Sequence, residues 1–145
     1  MENASPDLVN HPPHYRAHPS GIECIAITER LSFCLGNAVK YVWRRKEKGT
    51  EIQDLEKALW YLDRERALVI ALGSERPPVA YDPRCVKMCA GVSAGGSDQL
   101  LAEVVQRLWW DIATPRSVVL TLDSMIMSVT RELDRLKARL PAPTL

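Results

Sequence analysis

Apolar residues recur at steps of three and four along most of the chain, which is the helical period. Leu35, Ala38, Val39 and Val42 form one such stripe, and Leu55, Ala58, Leu59, Leu62 and Val69 form a second. Leu101, Val104, Val105, Leu108, Trp109 and Ile112 give a third with a wide apolar face. The longest stripe is Val119, Leu122, Ile126, Val129, Leu133, Leu136 and Leu140, whose alternating three- and four-residue steps are those of a coiled-coil seam. No stretch alternates with the period of a strand. The pattern predicts an all-α fold of about five helices in a small bundle, with a Pro/Gly-rich middle connection and a long C-terminal heptad helix.

Local signals place the boundaries. Ser20 with Glu23 resembles a capping box, apolar residues then fall at Ile22, Ile25, Ala26, Leu31 and Cys34, and a first helix is predicted over 21–32, ending before Gly36. The next helix is short and basic and lies between Gly36 and Gly49, with Asn37 as its expected N-cap. Thr50 with Gln53 repeats the capping pattern and predicts a helix over 51–72, an antiparallel neighbour of the basic one because the link is short. Ser97 is the expected cap of the helix that follows the middle connection, and Thr114-Pro115 opens the last helix, expected over 115–140. The resulting organisation is an arm at 1–20, a helical unit at 21–76, a linker or lid at 77–97 with a short helical turn at 83–90, a C-terminal helical hairpin at 98–140, and a tail at 141–145. The arm contains Pro12, Pro13 and Pro19, which oppose helix there. The heptad face can close the bundle or pair with a second copy. Its length favours a homodimer through residues 115–140.

Composition narrows the function. The 145 residues are 46% apolar, enough for a core, and the formal net charge is +1, so no overall field announces a duplex nucleic-acid binder. No run of about 20 apolar residues suggests a membrane span, and Met1-Glu2-Asn3-Ala4-Ser5 does not look like a signal region. An intracellular setting is expected. Cys24, Cys34, Cys85 and Cys89 then read as small hydrophobes, and no metal is expected, because the paired Cys-x2-Cys units of a zinc site are missing. The Gly91–Ser97 stretch lacks the preceding strand and the Gly-Lys-Ser/Thr of a phosphate loop.

Charge is concentrated locally instead. Lys40, Arg44, Arg45, Lys46 and Lys48 fall within nine residues, opposed only by Glu47, and Tyr41 and Trp43 stand among them. Arginine grips phosphate bidentately, lysine adds a compact charge, and an aromatic ring can stack on a base. The competing reading is a solvated basic face. Asp54, Glu56 and Asp63 suggest a metal-binding carboxylate set, but ordinary surface pairing with Lys57 and Arg64 explains them as well. Trp60-Tyr61 and Trp109-Trp110 each read as one core residue beside one that faces a pocket or a partner.

Several of these segments occur together in an order that resembles the SaV-like family, small bacteriophage proteins often labelled nucleotide kinases. The matching stretches are Val9-Asn10-His11-Pro12-Pro13-His14-Tyr15, Gly21-Ile22-Glu23-Cys24-Ile25, Gly36-Asn37-Ala38-Val39-Lys40-Tyr41-Val42-Trp43-Arg44, and Asp54-Leu55 with Lys57-Ala58 and Trp60-Tyr61-Leu62. The resemblance covers about residues 9–66. It implies a phage protein acting in the cytoplasm of the infected bacterial host, with a nucleotide as ligand and the arm as a wall of the site. The implied ligand-binding residues are His11, His14, Tyr15, Asn37, Lys40, Tyr41, Arg44 and Lys48. Three functions are then open: capture of a small phosphate-containing ligand, such as a host anti-phage nucleotide signal; a nucleoside monophosphate kinase without a P-loop, with magnesium as its cofactor; and a helical inhibitor of a host factor. The first is the expected one, with no cofactor and no assigned catalytic residue.

Overall fold

The computed structural model describes residues 7–16, 18–73, 98–108 and 115–144, without the side chains of 115–117. Among these residues there are six helices and no strand: α1 (Pro13–Arg16), α2 (Cys24–Thr28), α3 (Phe33–Arg44), α4 (Glu51–Leu72), α5 (Gln99–Arg107) and α6 (Pro115–Lys137). The all-α expectation holds. The turn expected over 83–90, the 77–97 connection, Cys85, Cys89, Ser97, Trp109, Trp110 and Ile112 lie outside the described residues.

The α3–α4 hairpin is the centre of the molecule. Its core side carries Leu35, Ala38, Val39 and Val42 from α3, and Leu55, Ala58, Leu62 and Val69 from α4. Full burial of a side chain such as Leu62 contributes about 1.5–3 kcal/mol. The link between the two helices turns at Gly49, whose φ of 68° lies where a side chain would be strained. The C-terminal helix α6 packs along α4, and α5 packs against both α6 and α3. Arg66–Asp123 (2.6 Å) and Lys137–Glu56 (2.8 Å) join α4 to α6 at the surface.

Several local expectations change. The arm does form helix: Pro13 occupies the first position of α1, where its missing N–H costs nothing. The helix expected over 21–32 contracts to Cys24–Thr28. Ser20 does not cap it, because the Ser20 hydroxyl meets His18 Nδ1 at 2.7 Å and accepts from the Ile22 N–H at 3.2 Å. Glu23 is itself the N-cap residue of α2, and its carboxylate pairs instead with His11 and Arg16.

The basic helix starts four residues before Asn37. Ser32 is its cap, accepting from the Leu35 N–H at 3.3 Å. Gly36 is therefore interior to α3. A Cβ there would stand 3.2 Å from the Thr28 carbonyl oxygen, so the glycine lets α3 pass close to the end of α2. Thr50 precedes α4 but forms no side-chain cap. Its hydroxyl donates to Asp54 Oδ2 at 3.3 Å. Asp98 caps α5, accepting from the Leu101 N–H at 3.0 Å, and so fills the role expected of Ser97.

The C-terminal heptad is spent largely within the chain. Leu122, Val129 and Leu133 are buried, joined by Met125, and Val119, Ile126 and Leu136 pack against the same cluster. Leu140 is exposed beyond the end of α6. The seam that argued for pairing with a second copy is thus covered by α4 and α5.

A cationic and aromatic face on helices α3 and α4

Two buried ion pairs decide which basic residues of α3 face outward. Arg45 lies in the core with its side chain 2% exposed. It donates to both carboxylate oxygens of Asp98, at 2.7 and 2.9 Å, and to the Val42 carbonyl at 2.7 Å. Arg45 is therefore a strut between the end of α3 and the start of α5, not a ligand group. Trp43 is likewise buried, with its ring 5.4 Å from that of His18, so it cannot stack on a bound base. These two positions overturn the idea that the whole basic run faces a ligand. A helix of this length has a buried side; Trp43 falls on it, and Arg45, the residue that ends the helix, turns into the core beside Val42.

Arg44 is tethered differently. Its Nη2 meets Asp54 Oδ1 at 3.1 Å, and its Nη1 donates to the Tyr15 hydroxyl at 3.4 Å. Asp54 is fully buried, which overturns its reading as an ordinary surface pair. Burial works against the Arg44 charge, and the bonds to Asp54 and Tyr15 outweigh it. The Tyr15 contact fastens the arm across α3, and His14 packs on Tyr15 with ring centres 4.2 Å apart. Burial chiefly holds the His14 imidazole below its ordinary range, helped by the charges of Lys48 and Arg44. Lys48 itself is exposed on the turn after α3.

Around Tyr41 the cations converge. Lys40 Nζ stands 4.8 Å from the ring centre, Arg44 Cζ 4.7 Å and Lys57 Nζ 5.4 Å. The ring's negative face accounts for part of this attraction. Burial is the main reason the Lys40 ammonium is held below its ordinary range, and the like charges of Arg44 and Lys57 push the same way. The Asn37 side chain does not cap a helix. Its Nδ2 donates to the Phe33 carbonyl at 2.8 Å, and its Oδ1 accepts from Lys40 Nζ at 2.6 Å, which steers that ammonium. Tyr61 stacks on Tyr41 at 5.8 Å with an interplanar angle of 18°.

The structure therefore brings together Tyr15, Asn37, Lys40, Tyr41 and Arg44 of the expected set, with His14 against Tyr15. His11 is exposed and meets Glu23 at 3.1 Å, so it anchors the arm to the start of α2. Lys57 and Tyr61 are not in the expected ligand-binding set. Their spacing of four puts them on one stripe of α4, and the antiparallel hairpin brings that stripe opposite Tyr41. Cys24 is not poised as a nucleophile: burial pushes its thiol up to about 12, so it stays protonated at neutral pH. Among the described residues no group of three or more His, Cys, Asp or Glu side chains is placed to hold a metal ion, and no helix is long and apolar enough to cross a membrane.

His18 carries a separate consequence for stability. Its Nδ1 accepts from the Ser20 N–H at 3.1 Å, while its buried Nε2 has no hydrogen-bond partner. Burial holds its pKa below the ordinary value of 6.5, against a weaker opposing pull from Asp98. The folded state thus prefers the neutral ring. Stability from this site is complete above about pH 6.5 and is lost as pH falls below it, because the unfolded chain takes up the proton first. In urea unfolding at pH 8 and pH 5, wild type is expected to lose more stability on acidification than His18→Asn, in which the side-chain oxygen replaces Nδ1 as acceptor. Equal losses would contradict this role for His18.

Residues 9–63 match the model of a protein family of unknown function, DUF3310. That span contains α1–α3 and the first half of α4, and hence the whole cationic and aromatic face. No curated protein and no solved structure matches the chain.

Proposed function

We propose that this face binds a small phosphate-containing ligand, a nucleotide, and holds it without transforming it. The observation that carries the reading is the convergence of Lys40, Arg44 and Lys57 within 4.7–5.4 Å of the Tyr41 ring centre. Like charges gathered on one partly buried patch repel one another, and an anion laid over them relieves that cost. The arm supports the same reading, since Tyr15 is fixed to Arg44 and brings His14 beside the cluster. Asp54 is engaged by Arg44 and Thr50 and offsets part of the positive charge of the cluster. The SaV-like resemblance of the same segment adds a setting. There the protein acts in a phage-infected cell and sequesters a host nucleotide signal used in anti-phage defence.

The test is to incubate the purified chain with a nucleotide panel, remove unbound material, denature the protein and identify what it releases by mass spectrometry. Intact nucleotide in stoichiometric amount is expected. Phosphoryl transfer between nucleotides would replace capture with kinase activity. Retention of nothing at micromolar concentration would leave a protein-interaction role. Lys40→Ala with Lys57→Ala is expected to weaken binding of the retained nucleotide by at least about 100-fold, since each charge-assisted contact contributes about 1.5–3 kcal/mol. Helix content by circular dichroism is expected to be unchanged. Affinity within a factor of three of wild type would show the cations to be only a solvated face.

A further inference from the structure

Beyond the cations the same face continues as an aromatic run. Phe33 and Trp60 are 76% and 61% exposed, respectively. Both rings touch Tyr61 edge-on, Phe33 at 6.0 Å and 72°, Trp60 at 4.9 Å and 89°. Tyr61 in turn stacks on Tyr41, which the cations surround. The helical register explains the alignment: Phe33, Asn37 and Tyr41 recur every four residues on α3, and Lys57, Trp60 and Tyr61 share one side of α4. Two large rings left mostly in water contribute little to folding, while their contacts with Tyr61 hold them in place beside the charge cluster.

We propose that Phe33, Trp60 and Tyr61 form a base-stacking subsite, so that the ligand is gripped by its base as well as by its phosphate. This rests on the anion-binding reading above. The step from Tyr41 to Tyr61 is 5.8 Å and from Tyr61 to Phe33 is 6.0 Å, the scale that separates the phosphate of a nucleotide from its base. Recognition of the base is by ring contact and not by its edge. Asn37, the amide on this stripe, is engaged by the Phe33 carbonyl and Lys40. Stacking accepts every base, with larger purine rings ahead of pyrimidines. A mononucleotide-sized ligand fits better than a nucleic-acid strand, since the net charge is only +1 and Asp54 offsets Arg44.

Calorimetric titration of the full chain with AMP, UMP, ribose 5-phosphate and single-stranded dA12 tests this. AMP is expected to bind at least tenfold more tightly than ribose 5-phosphate, with UMP between them. In Phe33→Leu/Trp60→Leu, AMP affinity is expected to fall to that of ribose 5-phosphate, while ribose 5-phosphate is unaffected. Both positions are exposed, and an unchanged thermal midpoint checks the fold. Equal binding of AMP and ribose 5-phosphate by wild type would overturn the base subsite and leave the anion site standing. No binding of any of the four probes would overturn both. Binding of dA12 more than 100-fold tighter than AMP would overturn the mononucleotide assignment in favour of a strand-binding surface.

Discussion

Asp98→Ala is expected to destabilise the protein by about 3–5 kcal/mol, because it strands Arg45 as a buried charge without its bidentate partner. The Arg45 side chain is 2% exposed, and both of its contacts to Asp98 are short. Glu51 lies 3.7 Å from Arg45 Nε and is too remote to replace the lost pair of hydrogen bonds. The same substitution removes the cap of α5, which by itself costs about 1 kcal/mol. Asp98→Ser separates the two effects, since serine keeps a cap and loses the ion pair. It is expected to recover about 1 kcal/mol. Arg45→Met combined with Asp98→Ser is expected to be more stable than Asp98→Ala, because no charge is then left unpaired in the core. Urea midpoints of the three variants check the series. A loss below about 1 kcal/mol for Asp98→Ala would show that Arg45 relaxes to water.

Asp54→Asn is expected to move stability and binding in opposite directions. The amide keeps the shape of the carboxylate and removes its charge, leaving Arg44 with a weaker partner in a largely buried position. A loss of about 3 kcal/mol in unfolding free energy is expected. The same change removes the negative charge next to the cation cluster, so binding of a phosphate monoester is expected to strengthen by roughly tenfold. Both effects can be measured on one preparation, by urea unfolding and by calorimetric titration at low salt. Raising the ionic strength is expected to shrink the gain in affinity. Weaker binding in Asp54→Asn would mean that Asp54 serves the site by aiming the Arg44 guanidinium, and that a direct charge effect is secondary.

This opposition explains why the basic run could not be assigned from its charges. Lys40, Arg44, Arg45, Lys46 and Lys48 are equivalent cations along the chain, but their partners differ entirely. Arg45 is closed off by Asp98, which is 53 positions away. Arg44 is shared between Asp54 and Tyr15, and Lys40 is steered by Asn37. The signal for Lys57 and Tyr61 was present in their i,i+4 spacing. It needed the direction of the hairpin to become a site, because only antiparallel packing sets that stripe against Tyr41.

What the sequence determined by itself was the type and direction of its longer elements. The three- and four-residue recurrence of apolar residues makes α3, α4, α5 and α6 helical, and the short link at Gly49 makes α3 and α4 antiparallel. These features follow from neighbours a few residues apart, which a periodic pattern records directly. The tertiary structure alone decided the ends and the partners. Ser20 was drawn to His18 and not to a cap, Ser32 took the cap expected of Asn37, and Asp98 joined two helices through Arg45. It also turned the C-terminal seam inward against α4 and α5. A hydroxyl, a carboxylate or a leucine seam can meet several partners of the same chemistry, and the choice follows from which of them packing brings within reach. The face on α3 and α4 arises in the same way: its residues were visible one by one, and the hairpin assembled them around Tyr41.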